Sequence, residues 1–118
     1  MRLEKYISEG AMKEALYDVL LDLKTVLSKK GLRGEIVSDR LAPGGMYLKF
    51  AKTVANKYME LDVKTALLPY GWKSTEEKSF PGGYSMDVKM AKGPTQITIS
   101  GSHRPGMIFS LSVYVDKV

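Results

Sequence analysis

The 118-residue chain contains no cysteine, and His103 is its only histidine. The lack of cysteine excludes disulfides, thiolate metal ligands and cysteine nucleophiles, and it fits a reducing compartment. A single histidine builds a metal site only with the help of several carboxylates, and none lies at ligand spacing around it. The sequence therefore predicts neither a metal site nor a cofactor.

Long apolar runs and nucleotide-binding motifs are also missing. The run at residues 66–68 is far too short to cross a bilayer, and Glu4 and Glu9 interrupt the region where a secretory signal has its apolar core. No glycine-rich loop ends in Lys-Ser/Thr, and no Gly-x-Ser-x-Gly elbow occurs. We therefore expect a soluble intracellular protein that is not an enzyme and has no membrane partner.

Positive charge is the strongest compositional bias, with a net charge of +5. Residues 24–57 carry two acidic side chains and eight basic ones, which are Lys24, Lys29, Lys30, Arg33, Arg40, Lys49, Lys52 and Lys57. These eight are candidates for nucleic-acid binding, because a basic surface that neutralises phosphates releases counterions. The alternative is that they are solvated side chains, with Lys29 and Lys30 complementing a helix C-terminus.

Apolar residues recur every three or four positions between Gly10 and Lys30. They are Met12, Leu16, Val19, Leu20, Leu23, Val26 and Leu27. This spacing predicts one amphipathic helix, about 30 Å long. Gly31, which follows two lysines, is a typical stop signal for it.

After residue 31 the apolar period changes to two, and three Pro-Gly turns each separate two alternating runs. The paired runs are 35–38 with 46–50, 73–80 with 84–90, and 96–100 with 107–115. Because proline presets φ at the first corner and glycine accepts a positive φ at the next, each pair predicts a β-hairpin. The alternation in the last run indicates a sheet with one buried and one solvated face.

Residues 53–70 fit two local structures. The apolar positions Met59, Leu61 and Val63 alternate as in a strand, whereas Asp62 could cap a short helix over 62–69 that ends near Pro69. We expect the helix. The predicted fold class is then α+β: an antiparallel sheet of about five to seven strands built from hairpins, covered by one long N-terminal helix and one short helix. Residues 10–118 are expected to form a single domain.

A group of aromatic residues also allows a nucleic-acid interpretation. Four aromatic side chains near the second hairpin could stack on bases or anchor the sheet edge, and they are Tyr70, Trp72, Phe80 and Tyr84. The adjacent Glu76 and Glu77 would oppose nucleic acid, and in a strand they point to opposite faces.

The segment Gly101-Ser102-His103-Arg104 resembles the short motif that carries the histidine of HicA-type mRNA interferases. That resemblance implies an RNase centred on His103. The alternative is that these are ordinary polar residues of a hairpin loop, where such residues are common.

The first nine residues form a separate question, because Leu3, Tyr6 and Ile7 lie at helical spacing just before Gly10. In composition and position this segment resembles the N-terminal capsid-targeting peptide of internal head proteins of T-even-type tailed phages. The resemblance rests on Ile7, Glu9 and Gly10, and it implies that a prohead protease cuts after Glu9. It also implies a phage virion or host-cytoplasm location, with the prohead protease, the capsid core or a host protein as partners.

The alternative for residues 1–9 is a backward extension of the long helix. With the leader and the basic body together, we expect a small, non-enzymatic phage protein that binds a protein or a nucleic acid. A basic nucleic-acid-binding module without a virion role is the main competing hypothesis.

Overall fold

The computed structural model describes residues 2–41, 45–52, 59–80, 85–102 and 109–118, with the backbone alone for 2–12, 51–52, 59, 102 and 109–110. Within these ranges the chain forms two helices and six strands. They are α1 (Arg2–Ser28), β1 (Glu35–Ser38), β2 (Met46–Lys52), α2 (Met59–Leu67), β3 (Lys73–Ser79), β4 (Ser85–Lys92), β5 (Thr95–Ser102) and β6 (Phe109–Lys117).

The strands form one open antiparallel sheet in the order β1-β2-β6-β5-β4-β3. The three predicted hairpins are confirmed as the pairs β1–β2, β3–β4 and β5–β6. A further hairpin, β4–β5, turns through Gly93, whose φ is +59°, and Pro94. The α+β class is confirmed, with the last strand in the interior of the sheet between β2 and β5.

Helix α1 ends where the sequence predicts and begins earlier. The Leu27 carbonyl accepts N–H groups from Lys30 and Leu32, each at 3.0 Å, and Gly31 takes a left-handed φ of +80°. This is a glycine-terminated helix end, in which carbonyls of the last turn are satisfied by the chain that leaves it. Helical backbone starts at Arg2 rather than at Gly10.

Helix α2 lies within the segment that allowed two local structures. The strand alternative is wrong for residues 59–63, because they are helical, and Asp62 lies inside α2 rather than capping it. Glu60 and Asp62 are instead the acidic residues of its first turn, where the helix dipole favours an ionised carboxylate such as that of the exposed Asp62. A 3₁₀ turn, Leu68–Tyr70, follows α2, and Gly71 ends it with a φ of +93°.

The core lies between the two helices and one face of the sheet, here called the inner face. Leucines of α1 and α2 meet the inward side chains of the central strands, and the largest fully buried side chains are Phe50, Leu20, Leu23, Leu27, Leu48, Leu67, Met90, Ile97, Ile99 and Leu111. Burial of this much apolar area is what holds both helices on one side. The opposite face of the sheet is left without a helix among the described elements.

Candidate binding surfaces

The face of the sheet that points away from α1 and α2, the outer face, is polar and is built from every second residue of the strands. Its members alternate with core residues, and they include Tyr47, Lys49, Asp87, Lys89, Thr98, Ser100, Ser112 and Tyr114. Since successive strand residues point to opposite faces, the apolar inner set dictates the polar outer set.

Cross-strand register arranges the outer face into rows. Tyr114 of β6 lies opposite Tyr47 on one side and Thr98 on the other, and the two tyrosine rings are 5.3 Å apart between centroids. In the next row Ser112 lies opposite Ser100. The middle of the face therefore carries short hydroxyl side chains beside a pair of aromatic rings tilted by 32° to each other.

A shallow depression of about 330 Å³ opens on this face, here called the outer-face depression. Its described lining residues are Asp39, Leu41, Asp87, Thr98, Ser100, Tyr114 and Asp116. Three of them are carboxylates and none is basic. The turn after β1 supplies Asp39 and Leu41, so the depression joins a loop to the middle strands of the sheet.

Hydrogen bonds hold two of these carboxylates in place. The Thr98 hydroxyl donates to Asp116 across the β5–β6 pair, and the Leu41 N–H donates to Asp39 Oδ1 at 3.0 Å. Leu41 itself is 93% exposed. The depression thus combines oriented negative charge with an exposed apolar side chain at its edge.

A second surface lies on the other side of the molecule, on the exposed side of α1. Here a shallow groove is lined by Leu21, Lys24, Thr25, Ser28 and Lys29. Tyr17, one turn before Leu21, is 44% exposed, and Leu21 is 38% exposed. The groove and Tyr17 together are called the α1 face.

The hydroxyl groups of the α1 face are already engaged. Thr25 donates to the Leu21 carbonyl at 2.9 Å, and Ser28 donates to the Lys24 carbonyl at 2.7 Å. Back-bonding of this kind satisfies the hydroxyls within the helix. The groups that this face leaves available to a partner therefore include Lys24, Lys29 and the exposed side chains of Tyr17 and Leu21, and the exposed Asp18 lies beside Tyr17.

The structure distributes the six basic candidates whose side chains it describes over several surfaces rather than gathering them on one. Lys24 and Lys29 lie on the α1 face, and Lys30 and Arg33 are exposed after it. Arg40 lines a different groove with Lys13, and Lys49 is on the outer face. Of the remaining two, Lys52 has only its backbone described, and Lys57 lies outside the described residues.

The leader residues Ile7, Glu9 and Gly10 lie within the helical backbone of α1, and their side chains are not among those described. In the Gly-Ser-His-Arg segment, Gly101 and Ser102 belong to β5 rather than to a turn, whereas His103 and Arg104 lie outside the described residues.

Gly101 forms a contact that sequence reasoning missed. The side chain of Glu60, on α2, is fully buried, and a Cβ built on Gly101 would lie 1.6 Å from its Oε1 atom. Glycine is thus required here for space. The sequence does contain a sign of this requirement for space: the inward-facing positions of β5 are Ile97, Ile99 and then Gly101, where a third large apolar residue would be expected.

Trp72 and the two glutamates of the second hairpin have structural roles, whereas Tyr70 is 38% exposed and Tyr84 lies outside the described residues. Trp72 is 4% exposed and belongs to the core, so it anchors the sheet edge and cannot stack on a base. The two glutamates do point to opposite faces, because Glu77 pairs with Lys64 of α2 and Glu76 lies 3.8 Å from Lys89.

Comparison of the chain with protein-family models, with curated proteins and with solved structures gives no match. Among the described residues, no three of the His, Asp and Glu side chains are grouped so that they could hold a metal ion. None of the described helices is long and apolar enough to span a membrane. The binding proposals below rest on the outer-face depression and the α1 face.

Proposed function

We propose that this chain is a small, non-enzymatic protein of a tailed phage, virion-associated or host-directed, that binds a protein partner through the outer-face depression. The partner presents basic side chains to it. The observation that carries the binding proposal is the set of three carboxylates, Asp39, Asp87 and Asp116, around one depression on a sheet face that neither described helix covers.

The chemistry of the depression favours a lysine or arginine side chain. Carboxylates attract the cationic head, while Leu41 and the Tyr114 ring offer apolar surface to its methylene stem. The nearby Tyr47–Tyr114 pair adds aromatic faces that attract cations. Tyrosine is also enriched in protein interfaces.

A nucleic-acid partner is disfavoured at this site because phosphates would meet three negative side chains. The basic candidates whose side chains the structure describes lie on different sides of the molecule, so those residues form no continuous track. Lys29 and Lys30 also follow the C-terminal end of α1, where the helix dipole disfavours anions.

The phage assignment is supported by the leader. The segment with Ile7, Glu9 and Gly10 resembles the capsid-targeting peptide of internal head proteins, whose partners are the capsid core and the prohead protease. Mass spectrometry of purified virions tests this part. We expect the protein inside the particle with its N-terminus at Gly10; its absence, or its presence only with an intact Met1, would contradict packaging.

An NMR titration of the ¹⁵N-labelled protein tests the binding site directly. Tetralysine is expected to shift the amide signals of Thr98, Ser100 and Tyr114, and tetraglutamate is expected to leave them unchanged. A tetralysine titration that leaves this set unchanged while perturbing other regions, or none, would contradict the proposed site.

Nucleic-acid binding at the α1 face is the second candidate function, because Lys24 and Lys29 share one groove. A filter-binding titration with duplex DNA over a range of salt concentrations tests it. Two phosphate contacts predict a slope of about −1.8 in log K against log salt, from −0.9 per phosphate. A flat plot would exclude phosphate contacts at these lysines.

A further inference from the structure

We infer that the basic partner of the outer-face depression is the α1 face of a second copy of this chain, so that the protein associates head to tail. This inference rests on the proposed function, since it names the partner of the same depression. It is carried by charge and apolar complementarity between two surfaces of one molecule.

The charges of the two surfaces are opposite. The depression presents Asp39, Asp87 and Asp116, whereas the α1 face presents Lys24 and Lys29. The charged residues among the described lining of the depression are all acidic, and the two that line the groove on α1, Lys24 and Lys29, are basic. The exposed Glu14 and Asp18 lie earlier on α1, beside Tyr17, so the positive charge belongs to the C-terminal part of the α1 face. Such an arrangement attracts copies to each other in one relative orientation and repels like faces.

Exposed apolar side chains are also present on both of the surfaces that are proposed to meet. Large exposed apolar side chains are few among the described residues, and three of them lie at these two surfaces: Tyr17 and Leu21 on the α1 face, and Leu41 at the depression. Contact between them would remove apolar surface from water on both copies, and Tyr114 would add its ring. Charge pairs would then fix the register of this apolar contact.

The two surfaces lie on opposite sides of the protein, because α1 covers the inner face and the depression lies on the outer face. A contact between them is heterologous, and each added copy leaves one surface of each kind free. The expected products are short open chains or a closed ring rather than a two-fold dimer. Since the groups involved are exposed, the association is weak and depends on concentration and salt.

Sedimentation velocity of the full chain tests the association without any added ligand. At low salt we expect the weight-average mass to rise above the 13.1 kDa of the monomer as concentration increases, and to return toward it at high salt. A mass that stays at the monomer value over the whole concentration range overturns the inference. An association that does not respond to salt overturns it as well.

Charge reversal then identifies the surfaces. The variants Lys24→Glu/Lys29→Glu and Asp87→Lys/Asp116→Lys are each expected to associate about tenfold more weakly than the native chain, and their mixture is expected to recover association. A matched control, Lys73→Glu/Lys92→Glu, changes the net charge as much as the first variant does, on exposed residues outside both surfaces. It should retain native self-association apart from the general effect of lower net charge.

The mixture protects the test against a folding defect, since an unfolded variant cannot restore association in its partner. If both variants self-associate like the native chain, or if the mixture fails to recover association, the inference is wrong. The tetralysine titration separates this failure from that of the proposed function. A monomeric protein whose depression still binds tetralysine would lose only the second-copy assignment.

Discussion

Gly101 shows how one position can be fixed by packing rather than by backbone conformation. Its φ is not positive, yet a Cβ would overlap the carboxylate of the buried Glu60. Gly34 is a milder case, with a would-be Cβ 2.8 Å from the Phe50 ring. Gly31 is the converse, because it has open space around it but a left-handed φ.

We expect Gly101→Ala to lower the free energy of unfolding by about 1–3 kcal/mol, the usual cost of overpacking a core, since either β5 or α2 must move. Urea denaturation measures this loss. If the overlap with Glu60 is the cause, adding Glu60→Ala should cost less in the Gly101→Ala background than in the native protein. Strictly additive effects would show that the two residues do not interact.

We expect Gly31→Ala to cost about 1–2 kcal/mol for conformational reasons alone, because a non-glycine residue is strained at a φ of +80°. Gly31→Asn should cost less, since asparagine tolerates the left-handed region better. Thermal melts of the two variants compare them. Equal melting temperatures would indicate that the helix end relaxes out of this conformation.

Helix α1 illustrates how one element divides its surface between stability and binding. Leu20 is fully buried, whereas its neighbour Leu21 is 38% exposed and lines the α1 face. Because both residues are leucines, any difference between the alanine variants at the two positions results from their location in the structure and not from the group removed.

We expect Leu20→Ala to cost about 2–5 kcal/mol by leaving a cavity in the core. Leu21→Ala should change the free energy of unfolding by only about 0.5 kcal/mol, as is usual at surface positions, while it weakens self-association. Denaturation and sedimentation of both variants provide the comparison. A strongly destabilised Leu21→Ala variant would mean that Leu21 contributes to the stability of the fold rather than mainly to binding.

The ion pair between Lys64 of α2 and Glu77 of β3 makes a modest contribution to the free energy of unfolding. Lys64 and Glu77 are both partly solvated, so we expect Lys64→Met to lower the free energy of unfolding by at most about 1 kcal/mol. Lys89→Met, at the longer pair with Glu76, should have a still smaller effect. Urea titrations of the two variants at low and at high salt would measure both losses of unfolding free energy and their salt dependence. A salt-independent loss at Lys64 would point to packing of its stem instead.

The whole molecule depends on its last strand. β6 pairs with β2 on one side and with β5 on the other, so it joins the β1–β2 hairpin to the β3–β4–β5 meander. These pairings connect distant parts of the chain and carry the loop-closure cost that slows folding.

We expect a chain truncated after residue 108 to lose cooperative unfolding. Strands β2 and β5 would each lose their hydrogen bonds to β6, and the core would lose the buried side chains of Leu111, Val113 and Val115. Circular dichroism melts measure this. Removal of Val118 alone, outside β6, is the control and should preserve a cooperative melt. A cooperative transition in the truncated chain would show that the remaining strands suffice.

The local elements were predictable from the residues because their causes are local. The three- and four-residue spacing of the leucines in α1, the glycine after it and the three Pro-Gly turns act over a few positions, and the structure has the helix end and hairpins they indicate. The bounds of α2 were less accessible, since its short apolar pattern suits a strand as well as a helix.

The strand order, the Glu60–Gly101 contact and the outer-face depression were decided only by the tertiary structure. Each joins residues far apart in the chain, as when the turn carrying Asp39 meets Asp116 of β6. Likewise, the sequence allowed either one phosphate-facing surface or separate solvated side chains for the basic segment, and the fold separates Lys24 on α1 from Lys49 on the outer face. The reason is that a sheet buries its inner face as a whole, and this collective burial selects which distant strands meet.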